Sequence, residues 1–211
     1  MAETGIQLWL ETSIVYWIGI FILYFLDPYP WHLIIPTKKH SRSPLVSLCN
    51  QLFVNGALAI QLNDCKLYFH DNFWSDIPKL PLYYMIASGL FYYIHRLFHH
   101  VPILQRFHRH HHHWTIVKPV DTFDCHPIEQ LCINIFPIMF PAWCLHISFY
   151  SFRFILHFSI ISSLLAHFNW KDTLITNQFH KMHHLKPSVN FGQGTTLFDK
   201  LHGTYFKQPI A

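Results

Sequence analysis

Apolar residues dominate five stretches of the sequence, and mostly polar stretches separate them. The hydrocarbon core of a bilayer is about 30 Å thick, and a helix needs about 20 apolar residues to cross it. Five segments match or approach that length: 8–26, 44–62, 80–94, 128–145 and 154–168. So few residues separate the last two that they are expected to form a hairpin. The pattern predicts an all-α fold, an integral membrane bundle of about four to five membrane helices.

Basic residues indicate how such a bundle is oriented. Twelve of the fifteen Lys and Arg residues fall in the 27–43 connection, the 95–118 region and the tail after residue 168. Loops on the cytoplasmic side carry an excess of Lys and Arg. Two crossings separate the first region from the second, and two more separate the second from the tail. All three regions are therefore expected in the cytosol.

The composition agrees with a membrane protein. Charged residues make up 12% of the sequence, against roughly 25% in average soluble domains. The formal charge of +4 is modest and the basic residues are dispersed, so the sequence lacks the footprint of a nucleic-acid-binding protein. The N-terminus, MAETGIQ, is acidic where a cleavable signal peptide would be basic. A buried soluble helical bundle is the alternative interpretation.

Histidine is in excess, with 19 residues in 211. Three regularly spaced groups stand out: His95 and His99; His108, His111 and His112; His180, His183 and His184. Residues three and four apart lie on one face of an α-helix. Two imidazoles so placed can bind one metal from a single helix. Pro102 is expected to end the first helix and let the chain turn before the second group.

Eight spaced histidines favour a metal-binding interpretation. A single histidine is more often a hydrogen-bonded core residue. Burying eight without a metal would require many separate hydrogen-bond partners, and in the charged form they would repel one another. A mononuclear site rarely uses more than three or four protein ligands, so eight imidazoles suggest two metals with positions left open. Imidazole binds zinc, copper, iron and nickel, so the ligand type does not select the metal.

Three further histidines are candidates for an additional ligand or for a residue that orients one: His126, His167 and His100. The first precedes the fourth apolar segment, with Glu129 one turn later. The second ends the fifth segment, and the third directly follows His99. His110 and His113 lie off the face of the second group and are expected in solvent.

The groups, which read HRLFHH, HRHHHHW and FHKMHH, resemble the fatty acid hydroxylase/sterol desaturase superfamily. The resemblance covers roughly residues 85–207 and follows the pattern H-x3-H, H-x2-H-H, H-x2-H-H. The stretch NFGQGTTLFDKLHGTYF is similar to the end of the family pattern, with these residues in register: Asn190, Gly192, Asp199, Gly203 and Thr204. The stretch HRHHHHWTIVKPVDTFDCHPIEQ is most similar to the sterol C-5 desaturase branch, although His113 and residues 121–125 depart from it.

The resemblance implies a non-haem di-iron oxygenase of the endoplasmic reticulum membrane. Its metal ligands would be His95, His99, His108, His111, His112, His180, His183 and His184. The expected organisation is an N-terminal membrane hairpin and loop in residues 1–79 and a multi-pass catalytic domain in residues 80–211, with cytosolic histidines. Two iron ions would use O2, with electrons from NAD(P)H through cytochrome b5. The expected substrate is a lipid, and C-5 desaturation of a sterol in sterol biosynthesis is the leading expectation.

Other functions stay open. A sterol C-4 methyl oxidase or a fatty acid or lipid hydroxylase would use the same scaffold. A metal-binding membrane transporter would place its ligands near the bilayer midplane, and a zinc hydrolase would need one zinc with an open position. Basic residues near the histidines could dock an acidic electron donor, or could simply flank the membrane: Arg106, Arg109, Lys118, Lys181 and Lys186.

Overall fold

All regular structure in the described residues is helical, and no strand occurs among them. The computed structural model describes residues 5–26, 43–63, 72–113, 117–168 and 178–206. The all-α prediction is confirmed for this part of the chain. Most of the 27–43 connection, whose basic residues contribute to the predicted orientation, lies outside it.

The helices are numbered in chain order. The α-helices of the described residues are α1 (Gly5–Leu26), α2 (Ser43–Cys49), α3 (Gly56–Asn63), α4 (Leu80–His100), α5 (Pro102–His108), α6 (Pro127–Glu129), α7 (Phe136–Cys144), α8 (Phe149–Ala166), α9 (Gln178–Leu185) and α10 (Leu197–Leu201). Two π-helical segments, Asn50–Asn55 and Gln130–Ile135, continue α2 into α3 and α6 into α7. The 3₁₀ segments are Phe73–Lys79, His111–His113 and Pro119–Phe123.

Two of these helices, α1 and α8, are long and apolar enough to cross a bilayer. Few of their residues are buried inside the protein. Phe21 and Phe25 on α1, and Phe154 and Phe158 on α8, are each at least 60% exposed. The other predicted segments are also helical, but they do not meet the same length and composition criteria. The total of four to five membrane helices therefore stays a prediction.

Helix α1 packs against α3, α8 and the 3₁₀ segment Pro119–Phe123. The Tyr16 ring stacks on Phe123 with 4.7 Å between ring centroids, and the Tyr16 hydroxyl donates to the Val120 carbonyl at 3.3 Å. Leu164 from α8 completes this buried apolar cluster. The N-terminal helix thus supports the chain segment that directly follows the second histidine group.

Side chains of the π-helical segments also hold that region in place. The Asn50 amide donates to the carbonyls of Phe123 and Cys125 at 3.0 and 2.8 Å. Gln130 from the second π-helical segment donates to the Asn55 side chain at 3.1 Å. π-Helical turns are rare and occur frequently at functional sites. Here they cross-link two helical hairpins beside the histidine-rich region.

A proline corner separates the first two histidine groups. Helix α4 ends at His100, Val101 is extended with φ −89° and ψ 117°, and Pro102 is the first residue of α5. Proline lacks an amide hydrogen and disfavours helical backbone in the preceding residue. The chain therefore turns at this point, as the sequence predicts, and α5 returns His108 to the side of α4.

Asp76 joins the starts of α4 and α8. Its carboxylate is fully buried and accepts the Ser148 amide at 2.8 Å and the Lys79 ammonium at 3.2 Å.

We expect Asp76→Ala to lower the free energy of unfolding by about 1–3 kcal/mol, because a buried amide loses its acceptor. Thermal unfolding in detergent measures this effect. Asp76→Asn, which keeps an acceptor oxygen, is the matched control, and an unchanged midpoint for Asp76→Ala would contradict the expectation.

Candidate metal centre

Five histidines from four elements converge at one point. The five-histidine group consists of His95 and His99 on α4, His108 on α5, His112 on the 3₁₀ turn and His183 on α9. One ring nitrogen of each lies within 4.8 Å of the corresponding nitrogen of every other member. Neighbouring Nε2 atoms are 2.9–3.2 Å apart. Each helix therefore directs imidazole nitrogens to the same small volume.

A second group of four lies beside the first. The four-histidine group consists of His111, His167, His180 and His184, all of them buried. The Nε2 atoms of His180 and His184 are 3.2 Å apart. His111 and His112 are consecutive residues in different groups, and the His112 and His184 rings stack at 4.6 Å across the boundary. The two groups are therefore direct neighbours.

The division of the histidines between the groups follows a rule of spacing. Residues four apart share a group, as His108 and His112 do, and as His180 and His184 do. The histidine three residues after the first of each pair belongs to the other group. The second set is not on one α-helix, because α5 ends at His108 and a 3₁₀ turn follows. The expectation that the second set lies on one α-helix is therefore corrected. The second and third sets each contribute histidines to both groups.

Backbone carbonyls fix the tautomer of two ligands in the five-histidine group. The Nδ1 atom of His95 lies 2.7 Å from the Phe191 carbonyl oxygen, and the Nδ1 atom of His183 lies 2.6 Å from the Val189 carbonyl oxygen. A carbonyl only accepts, so Nδ1 carries the proton and donates, and Nε2 keeps its lone pair. The Nε2 lone pairs of His95 and His183 are then both available to bind a metal ion inside the group. Partners of this kind usually orient metal-bound histidines.

His108 has a carboxylate neighbour instead. Its Nδ1 atom lies 3.0 Å from Glu129 Oε1, and both side chains are buried. A cation bound by His108 would favour the carboxylate form of Glu129. No spacing in the three histidine groups points to this residue, which comes from α6.

The environment keeps the rings neutral. Burial, followed by neighbouring histidines, lowers the pKa of His99 to about 2, and burial lowers the pKa of His111 to about 4. The pKa values of His180, His183 and His184 lie well below the usual range, with burial as the main cause. A neutral imidazole is the form that binds a metal. The groups therefore need no deprotonation at pH 7 to act as ligands.

Both groups fit metal ions. In a metal site with metal–nitrogen bonds of about 2.1 Å, two nitrogens at right angles to each other lie about 3.0 Å apart. The Nε2–Nε2 distances in the five-histidine group are close to this value. Five nitrogens exceed the four ligands of a structural zinc site. In the other group, the Nδ1 atom of His167 donates to the Ser163 carbonyl at 2.9 Å, so Nε2 is the ligand atom. That Nε2 is buried without a hydrogen-bond partner in the protein, which a cation would resolve.

Of the three lower-ranked candidates, only His167 lies in a group. His100 is exposed, and its Nδ1 donates to the Arg96 carbonyl of its own helix at 2.7 Å. His126 accepts the Ile128 amide at the start of α6, and its ring stacks on Phe107 at 4.5 Å. Neither ring is directed at the metal centre.

His110, which was expected in solvent, has a buried partner. Its Nε2 lies 2.7 Å from Asp124 Oδ1, and half of its side chain is exposed. Hydrogen bonding to Asp124 raises the pKa of His110. Asp124 and Glu129 are the acidic residues closest to the histidines among those described, and sequence spacing alone identified neither as a partner.

A small cavity opens between the two groups. Its histidine lining comprises His95 and His108 of the five-histidine group and His111, His167 and His180 of the four-histidine group. Apolar and polar side chains complete it, among them Phe91, Ile133, Asn134 and Gln193. In the part of the chain that the structure describes, an all-helical fold carries two adjacent all-imidazole groups beside a shared cavity.

The chain belongs to the fatty acid hydroxylase family. The family model described as fatty acid hydroxylase matches residues 80–204, which is more than half of the chain. No solved structure matches the chain.

Curated relatives include sterol desaturases. The Delta(7)-sterol 5(6)-desaturase of Leptosphaeria maculans is 33% identical over 141 residues, which cover 64% of this chain and 38% of that protein. The human fatty acid hydroxylase domain-containing protein 2 is 30% identical over 78% of this chain and 52% of its own length. The Delta(7)-sterol 5(6)-desaturase of Candida albicans is 30% identical over 70% of this chain and 38% of its own length. The chain thus spans about half or less of the length of these relatives.

The assignment of neighbouring histidines to different groups can be tested by pairwise substitution. We expect His111→Ala and His184→Ala, which remove ligands from one group, to weaken the binding of the same ion. The combination of His111→Ala with His112→Ala should weaken both. Metal titration and metal content per chain distinguish these outcomes. If the adjacent pair impaired only one ion, the division into two groups would be wrong.

The metal-free protein should lose stability as the pH falls. In the unfolded chain, histidines take up protons near pH 6.5, whereas His111 stays neutral to about pH 4 when folded. The unfolded state therefore binds more protons between these values, so the free energy of unfolding decreases from about pH 7 towards pH 4. Thermal unfolding of the metal-free chain in detergent measures this. His111→Ala should show a weaker pH dependence, and equal slopes would contradict the expectation.

Proposed function

We propose that the chain acts as a membrane-bound, non-haem di-iron oxidoreductase on a lipid, and that its reaction is the O2-dependent C-5 desaturation of a sterol. The observation that carries this proposal is the pair of adjacent, buried histidine groups beside one cavity. Membership of the fatty acid hydroxylase family and the similarity to the two sterol desaturases support the substrate class.

In this proposal, each group holds one iron ion. The ligands are His95, His99, His108, His112 and His183 for one ion, and His111, His167, His180 and His184 for the other. The bound iron pair supplies the redox chemistry with O2 that breaks an unactivated C–H bond, which protein side chains cannot do unaided. The chain contributes neutral rings, fixes the tautomers of His95, His183 and His167 through backbone carbonyls, and buries most of the rings away from bulk water.

The surroundings of the site suit a lipid substrate. Phe91 and Ile133 give the cavity an apolar wall. The exposed aromatic side chains of α1 and α8 present an apolar exterior that a bilayer would cover. We infer a multi-pass protein of the endoplasmic reticulum membrane with four to five membrane helices and cytosolic histidines. The N-terminal hairpin in residues 1–79 and the catalytic domain in residues 80–211 belong to this proposal.

The electron donor in this proposal is a cytochrome b5-type protein supplied by NAD(P)H. Uncharged ligands leave the metal pair cationic, and an acidic partner would be attracted to the surrounding basic surface. Arg106, Arg109 and Lys186 are exposed and available for such docking. Lys118 is not, because its side chain is buried at the start of the Pro119–Phe123 segment, so its assignment to a docking surface is wrong.

Hydroxylation of a lipid is the second candidate reaction. The human relative named for a fatty acid hydroxylase domain matches a larger share of this chain than the sterol desaturases do. Both reactions begin with removal of a hydrogen atom from the substrate. Positioning of the substrate carbon then determines the product, so product analysis must separate the two.

The reaction can be tested by lipid profiling. We expect this chain to restore the missing ring double bond in cells that lack their own sterol C-5 desaturase, and we expect His111→Ala to abolish that recovery. His126→Asn is the matched control, because position 126 lies outside both groups and Asn preserves the helix cap. A hydroxylated lipid in place of the double bond would favour the second reaction. A purified chain that holds one zinc ion and changes no lipid would contradict both.

A further inference from the structure

The end of the described chain folds into a hydrogen-bonded loop around one carboxylate. Asp199 on α10 is fully buried. It accepts the amides of Phe191 and Gly192 at 2.8 Å each and the Thr204 hydroxyl at 2.7 Å. Residues 189–206, termed the C-terminal clasp, are therefore closed by contacts to a single side chain.

Asn190 closes the same loop from its other side. Its backbone is in the left-handed region with φ 58°, and its amide donates to the Thr204 carbonyl at 2.9 Å. Its side chain accepts the Phe206 amide at 2.7 Å and donates to the Phe206 carbonyl at 2.9 Å. The bond to the Thr204 carbonyl fixes the Val189–Asn190 peptide group, whereas the bonds to Asp199 fix the Asn190–Phe191 and Phe191–Gly192 peptide groups.

Two of these peptide groups, Val189–Asn190 and Phe191–Gly192, carry the acceptors of the metal centre. The Val189 carbonyl accepts the hydrogen bond from His183 Nδ1, and the Phe191 carbonyl accepts the hydrogen bond from His95 Nδ1. Both rings belong to the five-histidine group, although one comes from α4 and the other from α9. The clasp also contacts α4 directly, because the Tyr92 hydroxyl lies 3.0 Å from the Thr204 hydroxyl. The clasp thus orients ligands from two separate helices.

The contact of the clasp with the four-histidine group is less direct. The Gln193 amide donates to the Ser163 hydroxyl at 2.7 Å. His167 uses the carbonyl of Ser163, which is a main-chain atom of α8 and does not depend on that hydroxyl. Among the described hydrogen bonds, the orientation of His167 is therefore set within its own helix region, whereas that of His95 is set by the clasp.

We propose that Asp199 is a positioning residue for the five-histidine metal site. Through the Gly192 amide it holds the Phe191 carbonyl, the acceptor of His95. Through Thr204, whose carbonyl accepts the Asn190 amide, it holds the Val189 carbonyl, the acceptor of His183. This inference rests on the proposed function, because it requires a metal ion in that group. Gly192 supports it independently. A Cβ at position 192 would lie 2.8 Å from Asp199 Oδ2 and 2.8 Å from the Thr195 carbonyl oxygen, so only glycine allows the carboxylate to approach.

The test is an anaerobic titration of the full chain in detergent with ferrous iron, in two backgrounds. His184→Ala disables the four-histidine group, and His112→Ala disables the five-histidine group. In the first background, we expect Asp199→Asn to weaken iron binding by about 10–100-fold, the usual effect of removing a partner that orients a metal-bound histidine. In the second background, we expect iron affinity to be unchanged. Gly192→Ala should reproduce this selectivity without changing the charge.

Loss of packing alone is controlled by Asp76→Asn, which alters another fully buried carboxylate that accepts a backbone amide. It should leave iron affinity unchanged in both backgrounds. Two results would overturn the inference while leaving the proposed function intact. One is equal weakening of both sites by Asp199→Asn and by Gly192→Ala, and the other is full affinity of the five-histidine site in both variants. Absence of iron binding by the His184→Ala chain would overturn the proposed function and this inference with it.

Discussion

The requirement that buried imidazoles stay neutral, with their lone pairs directed at a shared point, governs the arrangement of the metal centre. A neutral ring has one donor and one acceptor nitrogen, so a partner for Nδ1–H determines where the lone pair lies. Backbone carbonyls from three places provide such partners, to His95, His183 and His167. In these three rings Nδ1 is occupied, so Nε2 is the nitrogen that faces the other histidines of the group. A cation at each point of convergence satisfies nitrogens that would otherwise be buried and unpaired.

The sequence predicted the members of the centre better than their arrangement. All eight histidines of the three spaced sets lie in the two groups, since a spacing of four residues needs only local helix to bring two rings together. The division between groups depends on tertiary structure. It arises because α9 lies between the two groups and presents His183 to one and His180 to the other, and because the chain leaves α5 at His108.

Histidines at similar positions in the sequence pattern lie in different environments in the structure. His126 stands directly before one apolar segment and His167 at the end of another. His167 is buried against His180 and His184, whereas His126 caps α6 beside Phe107. The acceptors that orient the rings are mostly carbonyls, which every residue type carries, so composition gives no signal for them. Their only trace in the sequence is indirect, in residues such as Asp199 that fix the backbone.

The unequal size of the groups bears on where small molecules can bind. Three of the four members of the smaller group line the cavity, but only two of the five members of the larger group do. An ion held by four imidazoles would have more room for exchangeable ligands than one held by five. The four-histidine group would therefore leave more coordination positions open towards the cavity. The larger group is oriented from outside by the C-terminal clasp, which supplies the acceptors of His95 and His183.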